Sequence, residues 1–354
     1  MRLLLIGGNG FVGAQVVRAL LDHGQEVAVF HRGHAKTNLP DQVRHFLGDR
    51  RDLAASRSQF LDFAPDVVID FILASGLQAN VTMDVFRGIA DRIVALSSGD
   101  VYRAAGILHG IEPGPLQPVP LTEDSDLRSH GQTYRPEVID ALRQAFPWLD
   151  DDYDKIPVER AIMRDPELAG TVLRLPMVYG PGDSLHRLHP YLTRMDDGRS
   201  AILIQEDAAE WRGPRGYVEN VAAAIALAAT SPQAAGRIYN LAEAQSFSEI
   251  EWAQHIGRSV GWSGSVLPVP LDLTPAHLKV PYNSAQHWIM SSARIRQELG
   301  YAEPVPPDIA IARSIDWERA NPPGQVDPAQ FDYAAEDAAL EELRVREKIA
   351  LAGS

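Results

Sequence analysis

Short apolar runs separated by helical patterns organise the first hundred residues. Residues 3–6, 26–30, 67–72 and 93–96 read as strands. Residues 11–21 read as a helix, with Val12, Val16, Ala19 and Leu20 on one stripe. Strands that are apolar throughout, rather than alternating with polar residues, are buried on both faces. Separated by helices, they predict a parallel sheet built from βαβ units. Residues 105–150 interrupt this pattern with proline, glycine and charge, as in Glu112-Pro113-Gly114-Pro115. So long an excursion within a compact domain reads as a functional flap. The alternation resumes with a helix near 155–164, a strand at 171–175, a helix at 218–229, a short strand at 238–241 and a helix near 247–260. After Pro322-Pro323-Gly324 the tail ends in an amphipathic helix. Leu340, Leu343 and Ile349 are its apolar positions, among Glu341, Glu342, Arg344 and Lys348. It reads as an arm docked on its own chain, with a dimer contact as the alternative.

A length of 354 residues accommodates one large α/β unit or two modest domains. The 33 basic and 47 acidic residues give a net charge of −14, which argues against a protein held to nucleic acid or anionic lipid by its overall field. With no cysteine, the chain has no disulfide, thiolate metal site or cysteine nucleophile. The leading apolar run breaks at Gly7-Gly8 after four residues, too soon for a secretory signal. No later stretch reaches the roughly 18 apolar residues that span a bilayer. A cytoplasmic protein, monomeric or homodimeric, is the expectation.

The sharpest chemical signal is Gly7-Gly8-Asn9-Gly10-Phe11-Val12-Gly13, between the first strand and the first helix. Gly7, Gly10 and Gly13 would allow a tight turn, close backbone approach to a pyrophosphate, and close packing of helix on sheet. An anion then rests on the unpaired amides of the helix N-terminus. The end of the second strand selects the dinucleotide. An acid there bonds the ribose 2′-hydroxyl of NAD and repels a 2′-phosphate. Here the strand runs into His31-Arg32-Gly33, and Arg32 can pair with a 2′-phosphate and stack on adenine. NADP(H) is therefore favoured over NAD(H). Asp49, after the third strand, is placed either to accept from the adenine amino group or to form its own turn.

Together with further motifs, these residues resemble the extended short-chain dehydrogenase/reductase family, of NAD(P)-dependent epimerase/dehydratase type. The motifs are Leu96-Ser97-Ser98-Gly99-Asp100-Val101-Tyr102, Lys155-x-x-x-Glu159, Arg174-Leu175-Pro176-Met177-Val178-Tyr179-Gly180-Pro181-Gly182-Asp183 and Arg215-Gly216-Tyr217-Val218-Glu219-Asn220. The resemblance implies a doubly wound Rossmann domain over 1–176 and 216–245. It also implies a smaller substrate lobe over 177–215 and 246–320, with 321–354 left as the arm. It implies a cofactor site made of Gly7, Asn9, Gly10, Phe11, Val12, Gly13, His31, Arg32, Asp49, Phe71, Ile72, Ser97, Lys155 and Pro176. Catalysis would use a serine, a tyrosine and a lysine on a hydroxyl or carbonyl of a small polar substrate, a sugar or nucleotide-sugar among the options. Ser98 and Lys155 stand in the family positions, and Ser97 packs on the opposite face of its strand.

The family tyrosine, four residues before the lysine, is replaced by Asp151, and the nearest tyrosine is Tyr153. On a continuous helix, residues two apart face opposite ways. Tyr153 converges with Lys155 only if the helix starts at Lys155, with Asp154 as its N-cap. Three readings follow: Tyr153 is the displaced proton donor, turned toward Ser98; Asp151 or a water takes the role; or the site has lost redox chemistry and binds only nucleotide or RNA. Met177 stands where many sugar-nucleotide enzymes have asparagine. Arg212 and Arg215 are candidates for a substrate phosphate or for solvated surface. His186 and His189, lacking a third ligand of fixed spacing, do not read as a metal site.

Overall fold

The structure is a computed structural model that describes residues 1–33, 39–131, 134, 136–145, 149 and 152–352. Among the described residues, six strands precede the long C-terminal half: β1 (Arg2–Ile6), β2 (Glu26–His31), β3 (Arg44–Leu47), β4 (Val67–Asp70), β5 (Arg92–Ser98) and β6 (Ala169–Leu175). Five follow: β7 (Met177–Tyr179), β8 (Ala201–Gln205), β9 (Arg215–Tyr217), β10 (Arg237–Asn240) and β11 (Ser265–Val269). Seven of them form one parallel sheet in the order β10-β6-β5-β4-β1-β2-β3. The chain winds outward from β1 through β3, then crosses back to β4 and winds the other way. The switch falls between β1 and β4, where the crevice at the carboxyl ends of an open α/β sheet receives ligands.

The continuous apolar runs arise because each strand feeds two cores. Leu3 and Leu5 of β1 pack with Val16, Val17, Leu20 and Ile225 of the helices Phe11–Asp22 and Val218–Thr230. Leu4 and Ile6 pack on the other face with Phe60, Met83, Val158 and Ile162. The first core continues through Leu192, Ile202, Trp252, Ile256 and Ile311, so the smaller paired sheets β8–β11 and β7–β9 are joined to the main sheet by one apolar body. Strand β4 stops at Asp70, two residues short of the predicted end. There the buried Asp70 carboxylate accepts the Ile72 amide at 3.2 Å and turns the chain.

The tail helix runs Tyr333–Ala352 and docks on its own chain. Ala339 and Leu340 are buried against Ala201, Leu203 and Val269, and Leu343 packs at the edge of this cluster. Ile349, expected on the same stripe, is 67% exposed. It lies nine residues beyond Leu340, and at 3.6 residues per turn that spacing brings it out on the opposite side of the helix. The dock is fixed by a buried ion pair: Arg194 donates to Glu336 at 2.5 Å, and the His277 Nε2 lies 3.0 Å from the same carboxylate. Removing one partner of such a pair strands the other charge. Glu336→Gln should therefore cost about 3 kcal/mol and lower the melting temperature. Deletion from Asn321 onward should lower it further by exposing Leu203 and Val269. A calorimetric scan with both variants unchanged from wild type would show the arm to be idle.

Candidate active site

The glycine turn is built as its three positions require. Gly7 has φ of 77°, and a Cβ there would sit 2.8 Å from Ile72. A Cβ on Gly13 would fall 2.7 Å from the Gly8 backbone, so the helix packs directly on the turn. A Cβ on Gly10 would meet nothing nearer than Gly7 O at 3.8 Å. That position faces the open cleft. Gly10 is also the N-cap of the first helix and has no side chain to cap its amides, which suits an anion.

This turn opens on one cleft of about 1280 Å³ across the carboxyl ends of the strands. All sixteen residues expected from the sequence line it: Gly7, Asn9, Gly10, Phe11, Val12, Gly13, His31, Arg32, Asp49, Phe71, Ile72, Ser97, Ser98, Tyr153, Lys155 and Pro176. At the β2–β3 end, Arg32 is exposed and has no ion pair or hydrogen bond among the described residues. His31 bonds His45 at 2.9 Å, and burial together with that neighbour lowers its pKa. The Asp49 carboxylate is occupied by Arg51, accepting from its amide at 2.8 Å and its guanidinium at 2.6 Å. This holds its pKa down to about 2. Asp49 thus forms its own turn at the edge of the cleft.

At the β5 end the helix begins at Lys155, and Asp154 caps it by accepting the Ile156 amide at 3.0 Å. Tyr153 therefore lies ahead of the helix and shares the cleft with Lys155 and Ser98. Its hydroxyl does not bond Ser98. It donates to the Oδ2 of Asp100 at 2.9 Å, while the Ser98 Oγ accepts the Asp100 amide at 3.2 Å. Asp151 lies outside the described residues. Lys155 donates to Leu73 O and, at 3.0 Å, to Leu96 O. Burial pushes its pKa down to about 8 against the pull of Asp100 and Asp70. Glu159, one helical turn on, receives both Ser97 Oγ (2.6 Å) and the Arg174 guanidinium (2.9 and 2.8 Å). The Ser97 hydroxyl is thus committed to Glu159, although Ser97 lines the cleft.

Four groups unassigned from sequence complete this end. Asp100 is fully buried, and burial raises its pKa against Arg128 and Lys155. Tyr134, from the 105–150 excursion, lies close enough to that carboxyl group that burial and the Asp100 charge together raise the phenol pKa. Its ring lies 5.2 Å from His109 and 6.4 Å from Tyr153, and His109 is 6.5 Å edge-on from Trp288. The only signal in the sequence was an acid directly after a buried strand. The substrate-phosphate reading of Arg212 and Arg215 does not hold. Arg212 is paired with Glu251 at 2.7 Å, and Arg215 is paired with Glu249 and lies over Trp252, so neither reaches the cleft. His186 bonds Glu318 at 2.6 Å and stacks on Trp317, while His189 packs edge-on to Phe331.

The profile of the NAD dependent epimerase/dehydratase family matches residues 3–98 and 158–242. A 2′-dehydrokanamycin reductase of Streptomyces kanamyceticus is 27% identical over 286 residues, covering 79% of this chain and 72% of its own. A 3-diazoavenalumate denitrifying reductase of a Streptomyces species is 24% identical, covering 74% and 82%. The fold is similar to Thermus thermophilus UDP-glucose 4-epimerase in complex with NAD, at 22% identity and a TM-score of 0.59, covering 92% of this chain and 100% of that one. Among the described residues, no helix is long and apolar enough to cross a membrane. The two matched segments carry the glycine turn, the β5 serine and the sheet that brings them together, and on them the chain belongs to the NAD dependent epimerase/dehydratase family.

Proposed function

We propose that the chain is an NADP(H)-dependent reductase acting on the carbonyl of a small polar substrate. The observation that carries this reading is Tyr153. Although displaced from the family position, it reaches the same cleft as the glycine turn, Ser98 and Lys155. A cleft that only held nucleotide would have no use for a buried phenol there. The relatives support the direction of reaction, since both curated ones are named as reductases.

The cofactor fits the cleft on its own features. The open face of Gly10 and the uncapped amides of the first helix would take the pyrophosphate, and Arg32 would take the 2′-phosphate. Bound there, a nicotinamide supplies a hydride to the substrate carbon. The protein's part is the proton and the alignment. Tyr153 is the acid facing the carbonyl oxygen, and Ser98 holds that oxygen in line. Two of the three Lys155 donors rest on backbone carbonyls, so its ammonium acts as a fixed positive charge beneath the site. With Arg212 and Arg215 tied to glutamates and Met177 lining the cleft, the reading favours a substrate without a nucleotide diphosphate.

Two outcomes test this. NADPH should bind more tightly than NADH in a calorimetric titration, and Arg32→Ala should lose roughly 1–3 kcal/mol for NADPH while leaving NADH unchanged, the range for hydrogen bonds to a charged group. Equal affinities in the wild type would overturn the cofactor assignment. Tyr153→Phe should lower NADPH-dependent reduction of methylglyoxal or 9,10-phenanthrenequinone by roughly 10²–10⁴-fold, with NADPH affinity retained. Turnover unaffected by the substitution would remove Tyr153 from the chemistry.

A further inference from the structure

The Tyr153 hydroxyl is held by a carboxylate, not by the lysine. Its hydrogen bond goes to Asp100 Oδ2 at 2.9 Å, whereas the Lys155 ammonium lies 5.7 Å from the centre of the tyrosine ring and is bonded to Leu73 O and Leu96 O. Asp100 has no solvent exposure. Arg128 donates to its main-chain oxygen at 2.7 Å and to Asp154 at 2.8 Å. The groups that bear on this carboxyl are Arg128, Lys155, Tyr153, Tyr134 and Ser98. Those bearing on Lys155 beyond it are Asp70, Arg50 and Glu159.

This arrangement limits where negative charge can rest. Were Asp100 ionised when Tyr153 gave up its proton, the phenolate would lie against a buried carboxylate. Like charges so close in a site of low dielectric strongly disfavour that state. If the proton came instead from Asp100, the charge would come to rest between Lys155 and Arg128. We propose that Asp100 is the positioning residue that stores the proton Tyr153 delivers, with Tyr153 as the conduit to the substrate oxygen. The inference rests on reading the cleft as a carbonyl-reducing site.

In reduction, the carbonyl π bond breaks and a C–H bond forms with the hydrogen and electron pair of the reduced dihydronicotinamide. The oxygen takes the Tyr153 proton, the tyrosine oxygen takes the Asp100 proton, and Asp100 is left as a carboxylate. Solvent returns the proton after product leaves. Oxidation of an alcohol runs the same steps backward. Burial, which raises the Asp100 pKa, favours the protonated acid at the start.

The test pairs a spectroscopic readout with a kinetic one. In the wild-type protein with NADP⁺ bound, the infrared spectrum at neutral pH should contain a protonated-carboxyl stretch that is absent in Asp100→Asn and shifted in Tyr153→Phe. If no such band exists, and Tyr153→Phe leaves the carboxyl region unchanged, Asp100 is ionised and the proposal fails. With 9,10-phenanthrenequinone and NADPH, Asp100→Asn should lower kcat roughly 10²-fold with little change in KM and should shift the pH profile. A merely structural role would lower the rate with the profile in place, and that result overturns the proposal. Fluorotyrosine at position 153, which acidifies the phenol without disturbing the fold, should leave the wild-type profile unmoved; a shift tracking the phenol would also overturn it. A wild type that shows the band but reduces no carbonyl would refute the reductase reading and leave the location of the proton supported.

Discussion

The buried ammonium of Lys155, held between the buried carboxyl groups of Asp70 and Asp100, is the constraint around which the cleft is arranged. Only 4% exposed, it would be costly to keep charged in an apolar interior, and burial does push its pKa down to about 8. What sustains it is a series of alternating cationic and carboxyl groups along the carboxyl edge of the sheet. Arg50 pairs with Asp70 at 2.8 Å, Lys155 follows, then Asp100, then Arg128, which pairs with Asp154 at 2.8 Å. The series joins the ends of β4 and β5, the 105–150 excursion and the start of the lysine helix. Its members are interdependent, because removing any one leaves a buried neighbour without its partner.

That dependence explains how a displaced tyrosine reaches the cleft. Asp154 caps the helix and receives Arg128, so the helix cannot extend back through Tyr153 without giving up both contacts. Held ahead of the helix, Tyr153 turns its hydroxyl to Asp100. Tyr134 approaches the same carboxylate from the excursion, so this segment contributes to the chemical end of the cleft as well as covering it.

The features legible in the sequence were those carried by short-range pattern. The glycine spacing, the continuous apolar strands and the Asp154 cap each depend on neighbours within a few residues, and the structure reproduces them. The same local logic placed the lysine helix and the cleft-lining glycines. Pairings across long separations were not legible. Arg212 and Arg215 looked available for a phosphate because their partners, Glu251 and Glu249, lie more than thirty residues away on the helix Glu249–Val260. Asp100 stood inside a quoted motif, yet its bond to Tyr153 spans 53 residues and an excursion of irregular chain. Ile349 shows a different limit, where apolar character was read without following the helical angle over nine residues.

The central claim is that one cleft brings a dinucleotide, through the glycine turn and Arg32, to a proton source made of Tyr153 and Asp100. A crystal structure with NADP⁺ bound tests this most directly. The account predicts the 2′-phosphate beside Arg32, the pyrophosphate over Gly10, and the nicotinamide ring facing the Tyr153 hydroxyl. A cofactor whose nicotinamide points away from Tyr153, or whose 2′-phosphate lies remote from Arg32, would contradict it.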